Sequence, residues 1–471
     1  MISFLFTIKP KISISCPPRW ALLCLLAIGP FLLNAQFGDQ VIIDVIDGAR
    51  TVIAADLDGD GDMDVIASSK DDNYIRWYEN TGGAFGSANV ISSTANNAIS
   101  MDAADLDGDG DMDILTADFS DNMVGWYENS GDGTFSAIII ITTLPEDPKS
   151  VKATDLDNDG DMDVILAASE SNDVTWYENL GDGTFGDQNI IQSHAGTSGI
   201  TAADLNGDGF VEVISSAPYA LVDIAWYENM GDGTFGNTSV VTESAYEVRF
   251  VSVGDMDGDG DMDVLSATDG GANIAWFEND GTGVFEFKHV VSNDAFSASC
   301  VLATDMNGDG RPDILSASGN GFDNDKIAWY ENQGDGTFGE QIIISTELDY
   351  VERIFTADLD GDGDMDVLSS SLVDGKIAWY ENMIPLVSAS HEIAQTKLDV
   401  YPNPTNGNIY IDVDQLLLFE GSVYDMHGRL VRPTFSNPTI NLEGLEEGIY
   451  ILKIKDLESG ESVTERIILT R

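Results

Sequence analysis

The sequence predicts an all-β chain: a seven-bladed β-propeller closed by its own N-terminal strand, followed by a small β-sandwich. Three observations predict it. An acidic stretch, Asp56-Leu-Asp-Gly-Asp-Gly-Asp-Met-Asp64, returns from Asp105, Asp155, Asp204, Asp255, Asp305 and Asp358, at intervals of 49, 50, 49, 51, 50 and 53 residues. A Trp-Tyr-Glu-Asn element keeps the same period, starting at Trp77, Trp126, Trp176, Trp226, Trp276, Trp329 and Trp379, with Phe277 once in place of Tyr. Each interval also holds four short strand-like segments separated by turn residues, which is the periodicity of propeller blades.

In chain order, residues 1–35 carry Lys9, Lys11 and Arg19, then an apolar run from Trp20 to Leu33, then Asn34-Ala35. This reads as a secretory signal peptide cleaved after Ala35. A membrane anchor is the competing reading, but the run is shorter than the ~20 apolar residues a spanning helix needs. A soluble, exported mature chain without a transmembrane segment is expected. Residues 36–385 form the repeat array. Each unit reads as a strand, the acidic loop, an apolar strand such as Met63–Ala67, a variable loop, the Trp-Tyr-Glu-Asn strand, a Gly-Asp-Gly-Thr-Phe turn and a last strand such as Val90-Ile91. Turns such as Asp132-Gly133 want a positive φ, which glycine supplies without strain.

The seventh unit stops at Asn382 without its turn and fourth strand, while Phe37-Gly-Asp-Gln-Val-Ile-Ile43 matches Phe185-Gly-Asp-Gln-Asn-Ile-Ile191. The N-terminus is therefore expected to supply the missing strand and remove the free sheet edges. One tryptophan per unit, in a strand with apolar neighbours, reads as packing between blades rather than as a sugar-stacking platform. A linker, 386–397, follows. From 398 to 471 the acidic loops cease, and alternating segments such as Val423–Val431 and Leu445–Lys453 suggest the β-sandwich.

The acidic loops offer hard oxygen donors. Carboxylates at positions 1, 3, 5 and 9, with glycine at position 6 for a sharp turn, are calcium chemistry. One such loop alone reads as a solvated turn; seven in register do not, since a turn needs no carboxylate at positions 1, 5 and 9. The candidate ligands are Asp56, Asp58, Asp60, Asp62 and Asp64; Asp105, Asp107, Asp109, Asp111 and Asp113; and Asp155, Asp157, Asp159, Asp161 and Asp163. The remaining loops add Asp204, Asn206, Asp208, Phe210 and Glu212; Asp255, Asp257, Asp259, Asp261 and Asp263; Asp305, Asn307, Asp309, Arg311 and Asp313; and Asp358, Asp360, Asp362, Asp364 and Asp366. Position 7 varies to Phe210 and Arg311, so its backbone carbonyl, not its side chain, is the expected donor. The fourth and sixth loops depart from the all-Asp pattern and are expected to bind more weakly. Up to seven calcium ions are expected, in structural rather than catalytic roles.

Lys and Arg total 21 against 82 Asp and Glu, a formal net charge of -61, which disfavours nucleic acid and anionic membranes as partners. Cys16 and Cys24 fall in the leader, so the mature chain holds one thiol, Cys300, and no internal disulfide; bound calcium would supply the cross-linking instead.

The array closely resembles the FG-GAP and VCBS-type repeats of integrin α-subunit heads and many bacterial exported proteins, carried by the seven Asp loops and the Phe-Gly elements. That resemblance implies a seven-bladed propeller with calcium in the loop joining the first two strands of a blade. The C-terminal stretch, through Val400-Tyr-Pro-Asn-Pro-Thr-Asn-Gly407, Gly428-Arg-Leu-Val431 and Gly448-Ile-Tyr450, is similar to the type A sorting domain of the type IX secretion system. This implies engagement of that machinery and passage across an outer membrane, with removal of the domain and release or surface attachment.

Blade geometry places the loops between strands 2 and 3, and the blade-to-blade connections, at the end opposite the Asp loops. Eight of eleven propeller cations map there, including Arg50, Lys149, Arg249 and Arg353, together with the loop aromatics Tyr246, Phe250, Phe296 and Tyr350. Binding residues concentrate on variable loops over rigid scaffolds, so this face is the candidate site for an anionic or sugar ligand. The bland alternative is that the cations only relieve repulsion in an acidic ring.

Three functions fit: a non-catalytic adhesion or carbohydrate-binding module, a polysaccharide-degrading lyase or hydrolase, and an envelope scaffold. No Gly-x-Ser-x-Gly or His-Glu-x-x-His motif occurs, and His194 and His289 are the array's only histidines. The residues favour a monomeric binding module for an extracellular glycan or protein ligand.

Overall fold

Short Val/Ile/Ala-rich segments bounded by Asp-Gly turns fold as strands throughout. The computed structural model describes residues 36–384 apart from 194–195, 218–221, 244, 246, 270–272, 320 and 322–323. In the C-terminal part it describes 399–401, 405, 408–412, 419–425, 430–435, 439–442, 445, 448–456 and 462–470. The expected leader and linker lie outside the described residues. Among the described residues the one helical piece is a 3-10 turn at Phe119–Asp121, and no helix is long and apolar enough to cross a membrane.

The chain divides into two compact units, Met1–Leu386 and Val387–Arg471. In the first, seven four-stranded antiparallel sheets form among the described residues, in a propeller-like arrangement. Their first strands are Ala49–Ala55, Ala98–Ala104, Pro148–Thr154, Gly199–Ala203, Val248–Gly254, Ala298–Thr304 and Val351–Ala357. Each first strand lies beside the next, and Val351–Ala357 lies beside Ala49–Ala55. Six sheets take their four strands in chain order; the seventh combines Val351–Ala357, Asp366–Ser371 and Lys376–Tyr380 with Val41–Val45.

The second strand of every sheet is buried along its whole length, as in Asp64–Ser69 and Asp163–Ala168. Such strands have sheets packed on both faces, which explains their continuous apolar and small-residue runs. The fourth strands form the outer edge, where Val90, Ile140 and Ile190 stay exposed. Between sheets the core is a series of apolar seams; one joins Leu368, Ile377 and Trp379 of the seventh sheet to Val52, Val65 and Tyr78 of the first.

All seven tryptophans of the repeated element are buried, with Trp77 6%, Trp126 2% and Trp379 7% exposed. Each of six packs under a turn glycine of the following sheet: Trp77 under Gly133, Trp126 under Gly183, and Trp379 under Gly83. Trp329 instead meets Phe37 edge-on at 6.2 Å. Phe37 bridges to Asn382 as Phe85 bridges to Asn80, so the N-terminal segment occupies the place that a turn aromatic holds in the other sheets.

The second unit contains a three-stranded sheet (Asp399–Tyr401, Asn408–Asp412, Thr439–Asn441) and a four-stranded one (Leu430–Phe435, Phe419–Asp425, Gly448–Asp456, Ser462–Leu469), both antiparallel.

Candidate metal loops and a charged cavity

Each acidic loop follows the C-terminal end of a first strand. Its Gly and Asp residues close it by local hydrogen bonds: Asp56 accepts from the Gly59 and Gly61 amides at 2.8 and 3.1 Å, and Asp60 accepts from the Asp62 amide at 2.9 Å. The position-9 carboxylate is buried beneath. Asp64 accepts from the Leu57 amide through Oδ2 at 3.1 Å and from the Asn80 amide through Oδ1 at 2.8 Å.

The result is a repeated carboxylate triad. Ligand-capable oxygens of Asp56, Asp58 and Asp64 lie within 4.8 Å of one another, as do those of Asp105, Asp107 and Asp113, of Asp155, Asp157 and Asp163, and of Asp358, Asp360 and Asp366. In the fifth loop the group is Asp255, Asp257 and Asp259, with Asp263 buried nearby in the same loop. Position 5 therefore joins the triad only there. Burial pushes the position-9 carboxyls up, Asp64 and Asp366 to about 6 and Asp113, Asp163 and Asp263 to about 7, against the lowering effect of their amide donors. Asp155 Oδ1 is moreover buried without a hydrogen-bond partner. The donor set fits a hard divalent ion such as calcium, which these triads could hold.

The other two loops differ as their sequences do. In the fourth, Glu212 accepts from the Leu205 amide at 2.7 Å and from Asn206 Nδ2 at 3.1 Å, and burial pushes it up to about 7. In the sixth, Asn307 stands at position 3 while Arg311 Nη1 reaches Asp309 Oδ2 at 3.4 Å, so a built-in cation neutralises part of the site. Asp204, Asp208, Asp305 and Asp313 remain in place around them, with Asp313 raised to about 6 by burial.

Position-7 side chains do something else. Asp111, Asp161, Phe210, Asp261 and Arg311 each lie against a turn glycine of their own sheet, respectively Gly131, Gly181, Gly231, Gly281 and Gly334. Asp62 accepts from the Gly82 amide at 3.1 Å, and Asp364, whose sheet lacks that turn, is buried.

Sequence reasoning missed the asparagine that ends the Trp-Tyr-Glu-Asn element. Besides its amide bond to the position-9 carboxylate, Asn129 donates through Nδ2 to Met112 O of its own loop at 3.1 Å and to Leu57 O of the preceding loop at 2.8 Å. The same link recurs from Asn179 to Leu106 O, Asn229 to Leu156 O, Asn279 to Leu205 O, Asn332 to Met256 O and Asn382 to Met306 O. Asn80 makes it to Leu359 O, from the first sheet to the seventh. Every candidate metal loop is thus tied to the next.

At the other end of the first strands, Arg50, Lys149, Arg249, Arg353 and Tyr350 line one cavity of about 260 Å³. Arg50 pairs with Glu352 at 3.1 Å, and its guanidinium pKa is lowered by burial, which Glu352 partly offsets. Arg249 pairs with Asp269 at 3.0 Å and donates to the Tyr350 hydroxyl at 3.4 Å. Lys149 pairs with Asp147 at 3.2 Å and caps the Phe119 ring. Phe250 lies under the Arg353 guanidinium at 5.1 Å. Phe296 is 53% exposed and does not line the cavity; Tyr246 and His194 lie outside the described residues. His289 stacks on Trp276 at 4.2 Å and meets Glu278 at 2.9 Å on the outer part of the fifth sheet.

The sequence profile of the FG-GAP-like repeat matches residues 56–116, 105–166, 155–215, 219–266, 255–316 and 305–369. A profile described as a secretion system C-terminal sorting domain matches residues 399–470. Among solved structures, the chain is similar to PorZ of Porphyromonas gingivalis, described as an essential bacterial surface component of the type IX secretion system. The identity is 14% and the TM-score 0.44, over 92% of this chain and 60% of that one. The extracellular domain of a protein from B. thetaiotaomicron, described as a hybrid two component system, matches at 11% identity and TM-score 0.47, over 92% and 59%. The chain spans about three fifths of the length of each. Among curated proteins, none matches the chain in sequence. The sorting domain directs the protein to type IX secretion, to the cell surface or extracellular space, and implies engagement of that machinery. With its repeat profile covering more than half of the residues, the chain belongs to the FG-GAP-like repeat family.

Proposed function

We propose that this exported protein is a calcium-braced, seven-bladed propeller, closed by its N-terminal strand, that works as a non-catalytic binding or adhesion module for an extracellular glycan or protein. The observation that carries this reading is the carboxylate triad repeated in register in five of the seven loops. Calcium would be held by positions 1, 3 and 9, or 1, 3 and 5 in the fifth loop, and its chemistry there is charge neutralisation and cross-linking of a short loop. The chain's own residues do the rest: loop amides orient the carboxylates, and the terminal asparagines tie each loop to its neighbour. The same bracing holds the strands whose other ends carry Arg50, Lys149, Arg249 and Arg353. Pairing of Val41–Val45 with Lys376–Tyr380 and the seam from Trp379 to Tyr78 support ring closure.

The test is a glycan and acidic-polysaccharide array probed with the secreted protein in millimolar calcium and again in chelator. Calcium-dependent binding to a defined class is the expected result. Release of shortened saccharide from the arrayed material would overturn the non-catalytic reading, and a blank array would move the ligand to the protein class.

A further inference from the structure

The residue six positions before each acidic loop's first Asp occupies an equivalent register, second in its first strand in six sheets and just ahead of the strand in the fourth. Four are charged, Arg50, Lys149, Arg249 and Glu352, and three are not, Ile99, Ser198 and Ser299. In six of the seven sheets the ladder slips at this residue: partners step from Ala49↔Ser69 to Thr51↔Ser68, from Pro148↔Ala168 to Ser150↔Ala167, and from Val351↔Ser371 to Arg353↔Ser370. The slips at Ile99, Arg249 and Ser299 are the same. Such a bulge releases one residue from the ladder and re-aims its side chain, a device concentrated beside binding sites. Here all seven side chains line a single cavity of about 260 Å³, completed by Glu247, Asp269, Tyr350 and Arg353.

The cavity's charge runs against that of the chain. Four cations and three carboxylates line it, one net positive charge in a protein of net -61. Its ion pairs also leave groups unspent. Arg353 has no ion-pair partner among the described residues; its Nη1 donates to the Glu352 and Ser299 carbonyls at 3.1 and 3.5 Å, and its guanidinium rests on Phe250. Arg50 Nε and Glu352 Oε2 are both buried with no hydrogen-bond partner. Buried donors and acceptors without partners are uncommon and call for an explanation. A ligand that fits must bring an anion for the guanidinium and hydroxyl donors for the carboxylates. It must also be small, since the volume falls below the ~300–1,000 Å³ of sites for drug-sized molecules.

We propose that this cavity binds one terminal uronic-acid residue of an acidic glycan, with the sugar carboxylate on Arg353 and sugar hydroxyls on Glu352 and Ser198. This rests on the binding-module reading above and gives that module a ligand class and a stoichiometry of one per chain.

The experiment is calorimetric titration of the full secreted chain, in millimolar calcium, with glucuronate, galacturonate and neutral glucose. Uronate is expected to bind at one site, more weakly as salt rises, while glucose gives no heat. Arg353→Gln should weaken uronate at least tenfold with melting temperature and calcium binding retained. If that variant melts early, Lys149→Glu decides, because Lys149 is partly exposed and its reversal should still weaken uronate severalfold. Arg76→Gln, whose partner is Asp72 and which does not line the cavity, should change nothing. No uronate binding to the wild-type chain, or binding indifferent to both cavity variants, overturns the cavity site. The module reading survives that outcome if the array shows calcium-dependent binding elsewhere, and falls separately if it does not.

Discussion

Asn129 is 1% exposed and serves four polar groups at once: the Asp113 carboxylate through its amide, the Met112 and Leu57 carbonyls through Nδ2, and the Gly131 amide through Oδ1. Replacing it with alanine removes three side-chain hydrogen bonds; Leu57 O keeps the Gly133 amide at 3.1 Å, while the part-buried Met112 carbonyl and Gly131 amide lose their Asn129 partner, at ~1–3 kcal/mol each when unpaired. Local relaxation will recover part of that, so Asn129→Ala should lose about 3 kcal/mol in chemical denaturation; a loss under about 1 kcal/mol would show that water satisfies these groups instead. The sequence held a signal for this role. Asn ends the element in all seven copies even where Tyr gives way to Phe277. What it did not hold was the partner, because the carbonyl that each Asn meets lies in the preceding unit and carbonyls leave no mark on residue identity. The carboxylates were legible for the opposite reason: a carboxylate ligand has to be an Asp or Glu side chain, and the residue type declares it. Position 7 was half legible. Its variability excluded a side-chain ligand, but only the fold shows Phe210 and Arg311 lying over Gly231 and Gly334.

At the level of the element, the turn between the third and fourth strands is where one sheet meets another. Gly133 has φ +70, and a Cβ there would sit 2.3 Å from Trp77 of the preceding sheet. Gly82, in the equivalent turn of the first sheet, has φ +57 and nothing within 4 Å. Alanine at either position meets the left-handed backbone cost of about 1 kcal/mol, but only at Gly133 must a buried indole move as well. Gly133→Ala should therefore cost about 2 kcal/mol more than Gly82→Ala in parallel thermal or urea unfolding. Equal losses would mean that the tryptophan gives way freely and that sheet-to-sheet packing is looser than its burial implies. The sequence announced these glycines as turn formers, yet it could not tell which of the two works as a packing surface, since both belong to similar Gly-rich turns. It also gave no sign of the bulges at Arg50, Lys149 and Arg249, which are register events between strands rather than properties of any one strand.

For the whole molecule the governing quantity is charge. The repeated unit itself was legible because a period near 50 residues is a property of the chain as text, whereas convergence of Arg50, Lys149, Arg249 and Arg353 on one cavity required the sheets to be arranged. The formal net charge of -61 is concentrated in the loops that form the triads, so without cations those loops repel within themselves and across neighbours tied by Asn links. Two distinct remedies exist and they separate experimentally. Salt screens exposed charges over a Debye length of ~10 Å at 0.1 M but acts weakly on buried pairs. Calcium held by the triads would act at the buried carboxylates themselves, and at a hundredfold excess over the dissociation constant each occupied site would add about 2.7 kcal/mol, provided the unfolded chain does not bind. Melting temperature should therefore rise in order from chelator at low salt, to chelator with molar sodium chloride, to millimolar calcium at low salt. Magnesium at the same concentration should do less, because it demands stricter geometry and gives up its waters reluctantly. If molar salt restores the full stability seen with calcium, the triads are ordinary acidic surface and the metal reading fails. If calcium alone restores it, and Asp64→Asn together with Asp163→Asn lowers the calcium increment over and above the loss in the chelated melt from the one amide each leaves without a carboxylate oxygen, the buried position-9 carboxylates are the ones that hold the ion.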